Sequence, residues 1–150
     1  MYYQSMTIYF YSTTDSYGVF SNFARYGIEQ DGLWWPTTEH YFQAQKFEDV
    51  EYRERIRLAT TPKLAADLGR SRKMPLRPNW EQVKDQMMYV AVRKKFETHK
   101  PLRELLLETG DEEIVENAPG DYYWGCGKDG TGQNKLGKIL MRVRGELRMH

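Results

Sequence analysis

With 150 residues the chain has the length of one ordinary domain, and folding at that size buries roughly 68–70% of the unfolded surface around one core. Its 22 Lys and Arg nearly cancel its 21 Asp and Glu, which excludes a global field pulling it to nucleic acid or membrane, so anion recognition must be local. A single cysteine, Cys126, excludes an internal disulfide and fits a reducing compartment, and three scattered histidines offer no zinc-type ligand spacing, so no metal is expected.

In chain order, residues 1–10 show no basic segment followed by a long apolar run. No stretch of about 18 apolar residues follows, so a cytoplasmic protein without a membrane partner is expected. Residues 7–11 are strand formers, and residues 26–35 carry Asp31-Gly32 between apolar flanks, a hairpin signal. After Pro36, Thr37 or Thr38 caps a helix through Phe47, which extends or restarts over 48–58. Thr61-Pro62 opens a short helix over 63–68 that Gly69 closes.

Asn79 and Gln82 resemble a capping box for the longest helix, from Trp80 to about Thr98. Another helix is expected over 101–109 and a short strand over 114–116. The last helix, about 135–149, places Leu136, Ile139, Leu140, Val143 and Leu147 on one face. With no repeat and no dividing linker, the expectation is a single-domain, helix-rich α+β fold with short strands and a hairpin.

Three stretches can carry chemistry. In Trp35-Pro-Thr-Thr-Glu-His-Tyr-Phe-Gln-Ala-Gln-Lys-Phe47, Glu39, Gln43 and Lys46 are four and three apart and share a helical face. The plain alternative is a solvated stripe with ordinary helix pairing. Tyr41, Phe42 and Phe47 argue for burial instead, which turns the stripe into a pocket and raises the pKa of a carboxylate in it. The second stretch, Gly69-Arg-Ser-Arg-Lys-Met-Pro-Leu-Arg77, sets Arg70, Arg72, Lys73 and Arg77 in one loop, where guanidinium forks suit a phosphate; a solvated basic loop is the alternative. Trp80 follows, able to flank a heterocycle or simply to pack.

The third stretch runs from Glu116 through Asp121, Tyr122, Tyr123 and Trp124 into a glycine-rich segment ending at Asn134. Gly125, Gly127 and Gly130 spell G-x-G-x-x-G, but the residues that follow are too few for the strand–helix–strand unit this pattern needs. A glycine loop feeding a helix N-terminus can hold an anion, or it can be a turn. Cys126 lacks a neighbouring histidine and is not expected to act as a nucleophile.

Phe20-Ser-Asn-Phe23, the 35–47 segment, Gly69-Arg70, Asn79-Trp80, Tyr123-Trp124-Gly125 and Gly132-Gln-Asn-Lys-Leu-Gly137 together resemble the NADAR family, in order over about residues 7–148. They are most like its bacterial YbiA-like branch. The resemblance implies hydrolysis of the N-glycosidic bond of early riboflavin-synthesis intermediates, with release of ribose 5-phosphate and a reactive amine. The implied partner is a small ribose phosphate, and no cofactor is implied.

Other members act on ADP-ribose attached to guanine, so nucleic acid enters only under that alternative. A further alternative is a module that binds NAD or ADP-ribose without cleaving it. By motif, Glu39 is the key carboxylate, Lys46 an imine-forming nucleophile or a polarising cation, and Glu116 or Asp121 a second acid. Arg70, Arg72 and the 125–134 loop, with Gly125 and Asn134, would hold the phosphate, and Trp80 or Trp124 would stack on the base. Asn22, Phe23, Gln43, Gly69 and Gly137 complete the implied binding set.

Overall fold

Local signals set most element boundaries in the computed structural model, which describes residues 6–149. The reading of the first ten residues falls partly on 1–5, outside the described residues. Six α-helices and four three-residue strands are present among the described residues, a helix-rich α+β fold. None of these helices is long and apolar enough to cross a membrane. The chain groups into two compact units, one of residues 22–98 and one of residues up to 21 with 99 onward.

In the 22–98 unit, β2 (Ile28–Gln30) and β3 (Leu33–Trp35) pair antiparallel, with Ile28 opposite Trp35. Asp31 and Gly32 both take left-handed φ, 57° and 76°, the backbone a two-residue hairpin turn requires. Thr37 caps α1 (Thr38–Gln45) by accepting from the His40 N–H at 3.1 Å. The chain restarts rather than extends: Asp49 accepts from the Tyr52 N–H at 2.8 Å and opens α2 (Val50–Arg57). Thr61 does the same for α3 (Pro62–Arg70), and α4 (Trp80–Thr98) closes the unit. Helix α1 packs against α2, α3 and α4, so every residue from Thr38 to Gln45 is buried. Trp35, Tyr41, Ala44, Phe47, Ile56 and Ala91 form the core around it.

Two expectations fail here for physical reasons. Gly69 does not close α3, which continues to Arg70. A Cβ at Gly69 would lie 2.0 Å from Gln43 Oε1, so the glycine is needed for the approach of α1 to α3. The capping box is also not formed: Asn79 Oδ1 accepts from Arg77 Nε at 2.8 Å, and the Gln82 N–H donates to the Asn79 carbonyl at 3.0 Å.

In the other unit, β1 (Ile8–Phe10) pairs parallel with β4 (Ile114–Glu116), Ile8 opposite Ile114 and Phe10 opposite Glu116. α6 (Lys135–Arg148) packs on β4 and on α5 (Lys100–Glu108), burying Leu102, Leu106, Leu136, Leu140 and Val143. Buried Arg144 is satisfied by donating to Thr109 Oγ1 at 2.9 Å and to the Glu112 carbonyl at 2.8 Å.

Candidate active site

Helix α1 presents Glu39, Gln43 and Lys46 as expected from their spacing, but on a face that the surrounding helices have taken out of water. Their exposures are 7%, 4% and 9%. Asn22 fixes the first turn of this helix: its carbonyl accepts from the Glu39 N–H at 3.2 Å, and its Oδ1 accepts from Thr38 Oγ1 at 2.8 Å. His40 is structural. The Ala59 carbonyl can only accept, so Nε2 carries the proton toward it at 3.0 Å, leaving Nδ1 to accept from Thr37 Oγ1 at 2.7 Å. Burial lowers the pKa of this ring, keeping it neutral.

Glu39 Oε2 accepts from Gln43 Nε2 at 2.7 Å, which holds the carboxylate by a neighbour one turn away. The other end of that amide, Oε1, is buried without a partner against Gly69. Lys46 Nζ donates to the Gly69 carbonyl at 3.5 Å and lies 5.9 Å from the centre of the Phe42 ring. Arg72 donates to the same carbonyl at 2.9 Å. The last turn of α3 thus offers carbonyl oxygens and the negative end of a helix dipole to two cations.

The Lys46 ammonium is pushed down to about 8, first by burial, with Arg72, Arg70 and Lys84 adding repulsion and Glu39 opposing them. This is a desolvated amine beside a carboxylate, with guanidinium groups near enough to feel its charge. Arg70 and Arg72 are exposed, Arg70 within 4.0 Å of the Asp67 carboxylate. Trp80 is buried with its ring 5.2 Å from that of Phe42, so it is part of the wall on which Phe42 and Lys46 rest. Phe23 is half-buried near the start of this unit. Lys84 was not singled out by sequence reading, although it lies one turn after Trp80 on α4, where i, i+4 spacing shares a face.

The candidates of the other unit are engaged differently. Asp121 Oδ1 accepts from the backbone N–H groups of Tyr123 and Trp124 at 3.0 and 2.8 Å, an Asx-type turn. Asn134, in left-handed backbone at φ 51°, donates through Nδ2 to the Ile114 carbonyl and accepts at Oδ1 from the Glu116 N–H, both at 2.9 Å. Gly137 lets α6 approach, since a Cβ there would lie 2.1 Å from the Ile114 oxygen. Gly125 is buried and its carbonyl accepts from the Asn134 N–H at 2.9 Å. Glu116 ends β4, half-buried, and Trp124 is half-buried with its ring edge-on to Tyr123 at 4.8 Å. Among the described residues, no three His, Cys, Asp or Glu side chains gather as a metal-ligand set.

Comparison with known proteins follows this geometry. The model of a family described as NADAR domain matches residues 9–148. The chain is 55% identical to N-glycosidase YbiA of Escherichia coli over 144 residues, covering 96% of this chain and 90% of that protein. It is 52% identical to N-glycosidase Npun_R5314 of Nostoc punctiforme, covering 95% and 94%. Riboflavin biosynthesis protein VVA0006 of Vibrio vulnificus is 42% identical over 95% of this chain, which spans 39% of that longer protein. The NMR structure of E. coli YbiA superposes with a TM-score of 0.90 at 53% identity, over 99% of this chain and 88% of that one.

Proposed function

The chain belongs to the NADAR family, and from that premise we propose that it is an N-glycosidase that hydrolyses phosphorylated intermediates of riboflavin synthesis and releases ribose 5-phosphate. The observation that carries the chemistry is the buried α1 face, where a Gln43-held Glu39 stands with an amine whose pKa burial has brought down to about 8. Relatives named as N-glycosidases and as a riboflavin biosynthesis protein support the substrate class.

Cleaving a C–N bond at an anomeric carbon develops positive charge on the sugar, which the Glu39 carboxylate stabilises. Neutral Lys46 attacks that carbon: an Nζ–C1′ bond forms as the bond to the base breaks, and the departing nitrogen takes up a proton. Water then cleaves the Nζ–C1′ link, returning the amine and releasing the sugar phosphate. By motif rather than by distance, the second acid is Glu116, because Asp121 is committed to its own backbone. Arg70 and Arg72 take the 5′-phosphate, and Trp80 or Trp124 takes the base. The reaction is a hydrolysis and requires no redox partner, and a cytoplasmic location fits its phosphorylated metabolite substrate.

The test is mass-spectrometric detection of ribose 5-phosphate from 5-amino-6-ribosylaminouracil 5′-phosphate, with wild type and Glu39→Gln, and an ADP-ribosylated guanine oligonucleotide in parallel. Release from the pyrimidine that vanishes in the variant supports this reading. Release from the oligonucleotide alone moves the activity to ADP-ribose, and release from neither overturns it. Borohydride trapping of a sugar on Lys46 separates nucleophilic attack from direct attack by water.

A further inference from the structure

The proposed chemistry leaves Lys73 and Arg77 of the 70–77 basic run unused, and of these Arg77 lines a pocket. Its side chain donates to Asn79 Oδ1 and the Gln45 carbonyl, while Arg72 and Lys46 share the Gly69 carbonyl. With Arg53 of α2 it lines an open pocket of about 600 Å³, together with Phe47, Val50, Asn79 and, at the rim, Glu48. That volume is in the range of small-molecule sites.

The pocket is rich in donors and poor in acceptors. Arg53 donates only to neutral oxygens: the Ala44 and Phe47 carbonyls at 3.4 and 3.2 Å and Gln45 Oε1 at 3.4 Å. Arg77 likewise donates to Asn79 Oδ1 at 2.8 Å and to the Gln45 carbonyl at 3.4 Å. Among the described residues neither guanidinium forms an ion pair with a carboxylate, in contrast to Arg93 with Glu97 or Arg148 with Asp111. The two arginines outweigh the single carboxylate of Glu48, leaving one positive charge over.

Guanidinium groups held only by neutral oxygens are stabilised by an anion with several oxygens. We propose that this pocket is a second anion site, taking the phosphate of a small phosphate monoester, with Val50 and Phe47 against its organic part. Two forked guanidiniums and an amide suit a three-oxygen dianion better than a planar carboxylate. The same two residues grip the turn that carries Lys46: the backbone N–H of Arg77 donates to the Lys46 carbonyl at 2.7 Å, and the Arg53 guanidinium donates to the Phe47 carbonyl at 3.2 Å. An anion here therefore stiffens residues 44–47 whatever reaction Lys46 performs.

The test is NMR titration of the full, isotope-labelled chain with inorganic phosphate and glycerol 3-phosphate, with acetate and glycerol as comparators. Saturable shifts of the Arg53 and Arg77 Nε signals and of the Gln45 and Asn79 side-chain amides, with both phosphates and not with acetate, are expected. Arg77→Gln is expected to weaken this site about tenfold or more while shifts at residues 69–72 persist, which separates it from the Lys46 face. Arg53→Lys, which keeps the charge and loses the fork, is expected to bind more weakly than wild type and more tightly than Arg53→Gln. No saturable shift at these four side chains, equal shifts with acetate, or shifts indifferent to the substitutions would overturn the proposal. Should a variant fail to fold, the site-resolved wild-type titration still decides it.

Discussion

The buried face of α1 and the loop from Glu116 to Asn134 hold similar inventories of polar side chains, yet they use them in opposite ways. On α1 the helix, with Asn22 and Thr37 at its first turn, satisfies the backbone without using the side chains of Glu39, Gln43 and Lys46, and Gln43 donates to Glu39 instead. The loop pairs part of its backbone across itself, and its polar side chains serve more of it: Asp121 accepts from two backbone N–H groups, and Asn134 acts as an extra rung beside β4. A polar residue on a regular element is thus the stronger functional candidate, and one in an irregular segment is first a structural one.

The sharpest way to break this contrast is Glu39→Gln. It is expected to keep the fold and to lower the rate of sugar release by about 10²–10³-fold, as loss of a group that stabilises transition-state charge does; near-normal turnover would remove Glu39 from the chemistry.

Lys46 gives the next effect, with two readouts. Its folded pKa, about 8, lies below the ordinary 10.5, so the unfolded chain binds that proton more tightly. The resulting cost to stability is fully present below about pH 8 and is relieved as pH rises toward 10.5. Lys46→Met is therefore expected to be inactive yet more stable at pH 7 by about 1–3 kcal/mol, the advantage fading in alkaline denaturation curves. In the wild type, the rate should climb with pH through about 8 as the amine becomes neutral; a falling limb there would mark Lys46 as a cation in the reaction.

On the loop side, Asn134→Ala removes two hydrogen bonds to β4 and is expected to cost about 2–3 kcal/mol in urea unfolding. Any loss of activity should follow the loss of fold. Asp121→Asn retains the Oδ1 acceptor and is expected to change stability by about 0.5 kcal/mol or less, with activity preserved. An inactive but fully folded Asp121→Asn would restore Asp121 to the chemistry.

Much of the scaffold was legible because its signals are local. Thr37, Thr61 and Asp31-Gly32 each act within four residues of themselves, and the structure realises all three. Gly69 was read as a helix stop because the glycine rule is local, but its reason is Gln43, a residue 26 positions earlier in sequence on another helix. Asn79 was read as a cap, and Arg77 claimed its oxygen first. The four cations of the 70–77 run were read as one loop suited to an anion, with a solvated basic loop as the alternative. In the structure Arg72 donates to the Gly69 carbonyl beside Lys46, and Arg77 donates to the Gln45 carbonyl with Arg53 near.

By itself, then, the sequence determined the element order, the Thr37 and Thr61 caps, the hairpin and the sharing of one helical face by Glu39, Gln43 and Lys46, because periodicity and capping are set by neighbours along the chain. Only the tertiary structure decided that this face is desolvated, that Lys46 consequently holds its proton weakly, and that Lys84 and Arg72 act on it. Burial and Coulomb repulsion depend on which distant segments pack around a group, and three further helices enclose α1.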